Sequence, residues 1–309
     1  MVGSYQSVVV SCRLAAYLGF TVVPIAFATA QETESRTGHG SVSLNYQYLT
    51  ADSLESTIGE IPIGPVDTHS LNVQLDYHLN EKLTLSAGLP YVRKRYRGSL
   101  QHDPLLLDPP RPYLENIDQG QWNTGLQDIH LGARYLLSSS RTLSIEPFVS
   151  LEIPSHEYNF FGNAAVGQHV RKLQIGSSFV FEPGLSDAYY SFDLGYVFVE
   201  RTLGVSIDHW RVNAEVGYYF RPRLSGRLFA LLKHGHGLSF PDNFPLPRST
   251  ELWYQHDRLV KHNYTNAGVG VTWAFSDKHQ LAASWMTMTH GEVVHKLDYG
   301  LDVALSWSF

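Results

Sequence analysis

The chain reads as an all-β protein, a transmembrane antiparallel up-and-down β-barrel of about twelve strands, and three features carry that expectation. A segment with the pattern of an export signal comes first, the remainder alternates apolar and polar residues in stretches of ~10, and the links between stretches alternate short and long.

Arg13 is the only charged residue before Gln31, and residues 14–28 form an apolar run that closes on Ala28-Thr29-Ala30. A basic residue, an apolar core and small residues at the exit make a cleavable secretory signal over residues 1–30, cut after Ala30. Residues 31–309 are then the barrel. Cleavage removes Cys12, the only cysteine, and with it disulfide and thiolate chemistry. Loss of Arg13 from 23 basic residues leaves 22 against 29 acidic ones, a charge of −7 that argues against a nucleic-acid partner. No run in residues 31–309 approaches the ~20 apolar residues of a membrane helix. A closed barrel, which satisfies its backbone groups between strands, is the other structure that lipid tolerates.

The first strand sets Val42, Leu44, Tyr46 and Tyr48 against Ser41, Ser43, Asn45 and Gln47. The second sets Leu71, Val73, Leu75 and Tyr77 against Asn72, Gln74, Asp76 and His78, and residues 80–82 turn into a third carrying Leu85, Ala87, Leu89 and Tyr91. Strands four to six present Ile129 to Tyr135, Leu143 to Leu151 and Leu173 to Phe181 by the same rule. Strands seven to nine follow at Tyr190 to Phe198, Trp210 to Phe220 and Leu224 to Leu232, and ten to twelve at Val269 to Phe275, Leu281 to Trp285 and Leu297 to Phe309. With a side-chain period of two, one face of each is apolar and the other polar.

Short links at 80–82, 138–142, 183–186, 221–223 and 276–279 alternate with longer ones, including 51–68, 97–123 and 234–257. That asymmetry matches periplasmic turns and extracellular loops. Strands descending to the short links end on Tyr77, Tyr135, Phe181, Tyr218, Phe220, Trp273, Phe275, Trp307 and Phe309, one interfacial girdle. A soluble β-sandwich predicts the alternation but neither of these features. Trp307 and Phe309 also close the last strand against the first, and resemblance to other outer-membrane proteins implies that the terminal phenylalanine is part of the signal read by the barrel-assembly machinery.

Apolar residues toward lipid turn the alternate set inward. The candidate lumen residues are Asp76, Asp128, Arg134, Glu146, Glu152, Asp193, Arg211, Glu215, Arg227, Lys233, Asp298 and Asp302, with Lys296 beside them. Mixed signs imply a cross-linked or constricted lumen, since an unpaired charge in a low-dielectric interior costs several kcal/mol. Arg134 and Glu146, each about five residues from the 138–142 turn on adjacent strands, are expected at similar depth. Twelve strands fall between filled barrels of ~8 and open porins of 16 to 18, so a narrow selective pore is the natural reading. Pro-rich loop segments, Leu105-Leu106-Leu107 leading into Asp108-Pro109-Pro110 and Leu238 to Pro247 with Phe240, Phe244 and Leu246, either fold over the mouth or stiffen the rim against lipopolysaccharide.

Fifteen histidines invite a metal reading at His234-Gly235-His236 and at His256, Asp257 and His262, but no third ligand has a fixed spacing, and no cofactor is expected. Ser284 and His290 could serve a lipid-modifying enzyme as nucleophile and base, though no active-site signature surrounds them; as a hydrated lumen wall Ser284 needs none. Gly268-x-Gly270 reads as small lumen lining.

Gly125-Leu126-Gln127-Asp128-Ile129-His130-Leu131-Gly132-Ala133-Arg134-Tyr135, with Leu89-Pro90-Tyr91, Pro154-Ser155-His156-Glu157-Tyr158 and the Leu305-Ser306-Trp307-Ser308-Phe309 end, resembles the outer-membrane family labelled MetA-pathway of phenol degradation, distant relatives of the fatty-acid transporters. The resemblance implies a transporter or narrow porin passing small solutes, aromatic or hydrophobic ones among them, in an outer membrane of lipid and lipopolysaccharide. A lipid- or lipopolysaccharide-modifying enzyme and a sealed structural barrel are the alternatives. Export predicts a mature N-terminus at Gln31, checked by mass spectrometry of the exported chain; an N-terminus upstream of Leu14 would remove the argument.

Overall fold

The computed structural model describes residues 37–309, except 100, 101, 185, 245, 246 and 248, together with a short pairing of Val10–Ser11 with Ala26–Phe27. The expected cleavage site, Ala28 to Gln31, lies outside the described residues, as does Leu246.

Twelve strands follow one another round a closed antiparallel ring. They are β1 (Gly40–Ser56), β2 (Gly59–His78), β3 (Leu83–Tyr96), β4 in two segments (Trp122–Leu126 and Asp128–Tyr135), β5 (Leu143–Pro154) and β6 (Lys172–Phe181). The ring continues through β7 (Ala188–Val199), β8 (His209–Arg221), β9 (Leu224–Gly235), β10 (Asn263–Ala274), β11 (His279–Glu292) and β12 (Val294–Ser308). Each strand pairs with its chain neighbours, and β12 closes on β1 with Trp307 opposite Val42 and Leu305 opposite Leu44. The C-terminal residue completes the seam: Phe309 N–H donates to the Gly40 carbonyl at 2.9 Å and Gly40 N–H to the Phe309 carbonyl at 3.1 Å. Gly40 is required there, because a Cβ would stand 2.7 Å from the Phe309 ring.

The short turns are built by side chains that take over backbone hydrogen bonds. Asn80 Oδ1 accepts from the amides of Lys82 and Leu83, both at 2.9 Å, and Ser140 Oγ and Ser276 Oγ accept from Leu143 and His279 at 3.0 Å. On the opposite side two expected loops are instead strand. The 51–68 link continues as paired β1 and β2 to a turn at Thr57 and Ile58, and β11 turns into β12 at Val293 alone. Backbone pairing extends these hairpins past the membrane, where alternation of apolar residues no longer reports it.

Leu44, Val73, Leu89, Leu131, Leu151, Ile175, Leu194, Val216, Leu228, Val269, Leu301 and Val303 stand exposed on the outer wall, an apolar belt that only lipid covers favourably. The aromatic girdle lies at its short-turn edge as expected. A second aromatic row marks the other edge, where Tyr196 touches Phe198 and Trp210 with ring centroids 4.9 Å apart and Tyr48 meets Tyr299.

An arginine in this belt costs ~2–4 kcal/mol at mid-membrane. Val73→Arg should therefore lower the temperature of the heat-induced shift of the folded band on gels, whereas Ser70→Arg on the inner face of the same strand should not. Deleting Phe309 removes the closing hydrogen bonds and should leave the chain degraded or periplasmic; a normal heat-modifiable band in the membrane fraction would count against its role.

Candidate functional site

Register and alternation place the inner wall. Asp76, Asp128, Arg134, Glu146, Glu152, Asp193, Arg211, Glu215, Arg227, Lys233 and Asp302 all stand on inward positions of their strands. Asp298 does not. Between Lys296–Ser53 and Tyr299–Thr50 the pairing skips Asp52 on β1 and Asp298 on β12, so both are bulged residues exposed on the outside. Above these two bulges the faces exchange. Lys296 accordingly points outward to Glu60 and Glu55, and Leu297, expected toward lipid, turns in.

A third bulge matters more. β3 pairs Tyr91 with Leu126 but Gly88 with His130, so one extra residue, Gln127, is taken up in β4. Gln127 and Asp128 consequently both face inward, 2% and 1% exposed. The Asp128 carboxylate accepts from the hydroxyl of Tyr158, which belongs to the loop after β5.

The charged residues occupy one side of the wall, β4 to β9. Lys172 Nζ lies 2.9 Å from Glu152 Oε2, and both side chains are nearly inaccessible. Glu215 accepts from Tyr189 Oη at 2.6 Å and lies 3.5 Å from Arg227 Nε, while Arg227 Nη1 donates to Thr272 Oγ1 at 3.1 Å. Gly270 makes room for that guanidinium, since a Cβ would come within 2.9 Å of it. Arg211 donates to Gln174 and Asn213 to Asp193, each at 3.3 Å. Arg134 is registered against Phe148, with Cζ 5.8 Å from the ring, and Glu146 stands one inward position nearer the turn, opposite Ser178. The partner of Glu152 is therefore Lys172, a residue that sequence reasoning did not name.

The other side carries charge at Asp76, at Asp302 and, near the mouth, at Lys94. Ser43, Asn45, Gln47, Ser70, Asn72, Gln74, Ser284 and Ser306 line it, with Asp302 between Ser284 and Gln47. Into it is set an apolar cluster of Leu49, Phe229, Leu231, Met286 and Leu297, against which Met288 packs. Gly268 and Gly300 leave it space, because Cβ atoms there would meet Phe229 at 2.4 Å and Leu49 at 2.7 Å. The signal for it was a break in alternation, the unbroken apolar run from Leu228 to Leu232 on β9.

Three loops fold over the mouth and into it. Ile117, Ala164 and Ala165, from the loops after β3 and β5, pack against Val66 and Tyr96 on the inner faces of β2 and β3. The loop after β9 joins them through a one-turn helix, Glu251–Tyr254, whose Trp253 and Tyr254 cluster with Leu107 and Phe161. Arg111 pairs with Glu251 and covers the Tyr254 ring, and Arg258 covers Phe160 and donates to the carbonyl oxygens of Gln168 and His169. His102, His256 and Trp253 form a stack, His256 4.3 Å from Trp253 and 5.1 Å from His102.

Among the described residues no three His, Asp or Glu side chains converge as metal ligands. Ser284 and His290 are six residues apart on β11, roughly 20 Å at ~3.4 Å per residue, too far to act as nucleophile and base.

A profile of the family described as MetA-pathway of phenol degradation matches residues 65–293. No curated protein matches the chain. Among solved structures it is similar to an outer membrane channel from Pseudomonas putida F1, at 17% identity over 88% of this chain and 96% of that one, with a TM-score of 0.66. The NanC porin is similar at 8% identity over 86% of this chain and 98% of the porin, with a TM-score of 0.51. At these identities the likeness is one of fold.

Burial holds the His256 imidazole below its ordinary range and lowers that of His262 to about 3. Both are neutral in the folded lid. A base with a depressed pKa binds fewer protons folded than unfolded, so the lid is fully stable above ~6.5 and loses stability as the pH falls from there toward 3. Hydrogen exchange of residues 251–262 should accelerate between pH 6.5 and pH 4, after correction for intrinsic rates, while the girdled strands stay protected.

Proposed function

The chain belongs to the MetA-pathway of phenol degradation family, and from that premise we propose that it is an outer-membrane channel for passive passage of small solutes, hydrophobic or aromatic ones among them. The observation that carries this reading is the divided inner wall. A charged side of paired residues, Glu152 with Lys172 and Glu215 with Arg227, faces a polar side that holds the apolar cluster around Phe229 and Met286. In a channel these pairs, each nearly inaccessible, hold the charged side of the wall in place opposite the apolar cluster. A water-filled path lined in this way offers a partly apolar molecule a place to shed water on one side while the other stays hydrated.

The membrane setting rests on the closed ring, the apolar belt and the two aromatic rows. An enzymatic alternative loses its candidate couple to the spacing of Ser284 and His290.

Purified protein in planar bilayers should conduct ions, and silence in every lipid tried would favour a sealed barrel. Lys172→Met exposes the charge of Glu152 and should shift the reversal potential under a salt gradient toward cations; Glu152→Gln should shift it toward anions. Met286→Asp should slow entry of apolar solutes in liposome-swelling assays while leaving small sugars unaffected.

A further inference from the structure

Above β5, β6 and β7 the rim of the barrel holds an open pocket of about 650 Å³, and register fixes where it faces. Lys172 points inward opposite Glu152 and Val199, so its neighbour Arg171 points outward, level with Ile153 on β5 and Glu200 after β7. Phe198, in the second aromatic row, is two residues below Glu200, roughly 7 Å down the strand at ~3.4 Å per residue. The pocket therefore stands just above the interfacial aromatics, at the depth of the lipid headgroups, and on the long-loop side of the membrane. At its lower edge Ile153 leads into the apolar belt through Leu151 and Ile175, all three exposed on the outer wall.

Two guanidinium groups in its lining are unclaimed. The side chains of Arg171 and Arg201 are exposed and make no hydrogen bond or ion pair among the described residues. The carboxylates beside them are engaged elsewhere: Glu200 accepts from the Arg171 amide at 3.1 Å, and Glu157 lies 3.3 Å from His169 Nε2. Arg258 adds a third positive charge, its own donors being taken by the carbonyl oxygens of Gln168 and His169 and by Gln255. Arg201 is set at the foot of a tight turn, in which Thr202 and Val205 exchange backbone hydrogen bonds at 3.1 and 2.9 Å across Leu203 and Gly204, both with positive φ. Leu203 thus takes a left-handed conformation that a leucine seldom adopts, and its side chain is held 53% exposed at the edge of the pocket. Unpaired arginines at headgroup level, with apolar side chains beside and below them, complement a molecule that has an anionic head and hydrocarbon tails. The volume exceeds what a phosphate group alone fills and lies in the range that takes a whole small molecule, such as a phosphorylated sugar. We infer that this pocket is a binding site for a phosphate-bearing glycolipid of the outer leaflet, whose phosphate is held by Arg171 and Arg201 and whose acyl chains run down over Ile153, Leu151 and Ile175. A planar guanidinium donates two parallel hydrogen bonds to a phosphate, and two such groups give the head a fixed place. The site rests on the membrane setting and not on conductance.

Native mass spectrometry of the purified barrel in detergent, titrated with lipid A, tests it. One lipid A should bind saturably, and lipid A stripped of its phosphates but with the same acyl chains about a hundredfold more weakly, the worth of two charge-assisted contacts. Inorganic phosphate at the same concentration should not compete. Arg171→Ala and Arg201→Ala, each confirmed as heat-modifiable barrel, should weaken lipid A about tenfold apiece and leave the dephosphorylated lipid unchanged. Arg221→Ala, an exposed arginine at the short-turn rim, should change neither. Equal binding of the two lipids by the parent protein would overturn the assignment without recourse to a variant. A loss on Arg221→Ala as large as that on Arg171→Ala would overturn it as well, by showing a diffuse attraction of charge, and displacement of lipid A by equimolar inorganic phosphate would make free phosphate the ligand. A barrel that takes up neither lipid loses this site together with its membrane setting; one that conducts ions and binds both lipids equally loses this site alone.

Discussion

The structure depends on one constraint, that no backbone N–H or C=O on the wall may face lipid without a partner. Each unsatisfied group costs several kcal/mol in hydrocarbon, and a sheet escapes this only by closing. The seam between β12 and β1 is where the constraint is tightest, because it joins the two ends of the chain. The reciprocal bonds of Gly40 and Phe309 sit at its end, on a residue without Cβ so that the last ring can lie against it. The alternation along every strand is then a consequence: with the backbone committed to the ring, side chains have only two directions, lipid and lumen.

The same closure explains why bulges carry information here. A single inserted residue cannot be absorbed by sliding a whole strand, since that would turn its apolar set inward. It stays local and changes which side chains face in. Gln127 does this on β4 and presents Gln127 and Asp128 to the lumen together, with Asp128 held by Tyr158 from the loop above. The paired bulges at Asp52 and Asp298 do it on both strands of the closing seam, so the lower halves of β1 and β12 present Asn45 and Asp302 inward and the upper halves present Leu54 and His295 to a cavity under the lid.

These details decide how much could be read from the sequence. The barrel, its strand number, the turn asymmetry and the girdle were readable because each follows from a period of two and from links whose length is visible. Of the twelve charged residues expected in the lumen, eleven stand on inward positions for the same reason, and Asp298 does not, because a bulge leaves no mark on composition. Lys172 was missed as the partner of Glu152 because it is the first residue of its strand, before any alternation can fix its phase. The apolar cluster was hidden differently. An inward leucine among outward leucines shows only as a longer apolar run, and the glycines opposite it, Gly268 and Gly300, show that the space was made inside.

The division of labour between lid and wall follows from what each can hold rigid. Side chains on the strands are fixed by two neighbouring ladders, so ion pairs such as Glu152 with Lys172 keep their geometry at no further cost in ordering the backbone. Loops lack that support, and this lid obtains it from stacked rings and from two arginines that lie on Tyr254 and Phe160. Aromatic contacts tolerate small displacements better than ion pairs do, because dispersion falls off gradually while a buried charge without its partner is penalised outright. The lid is tied to the wall by charge as well, because Lys94 on the inner face of β3 is set against Asp257 and Asp118 of the loops, so lifting the lid would strip a buried cation of its partners and the covering is held to the mouth by the same penalty that fixes the ion pairs below.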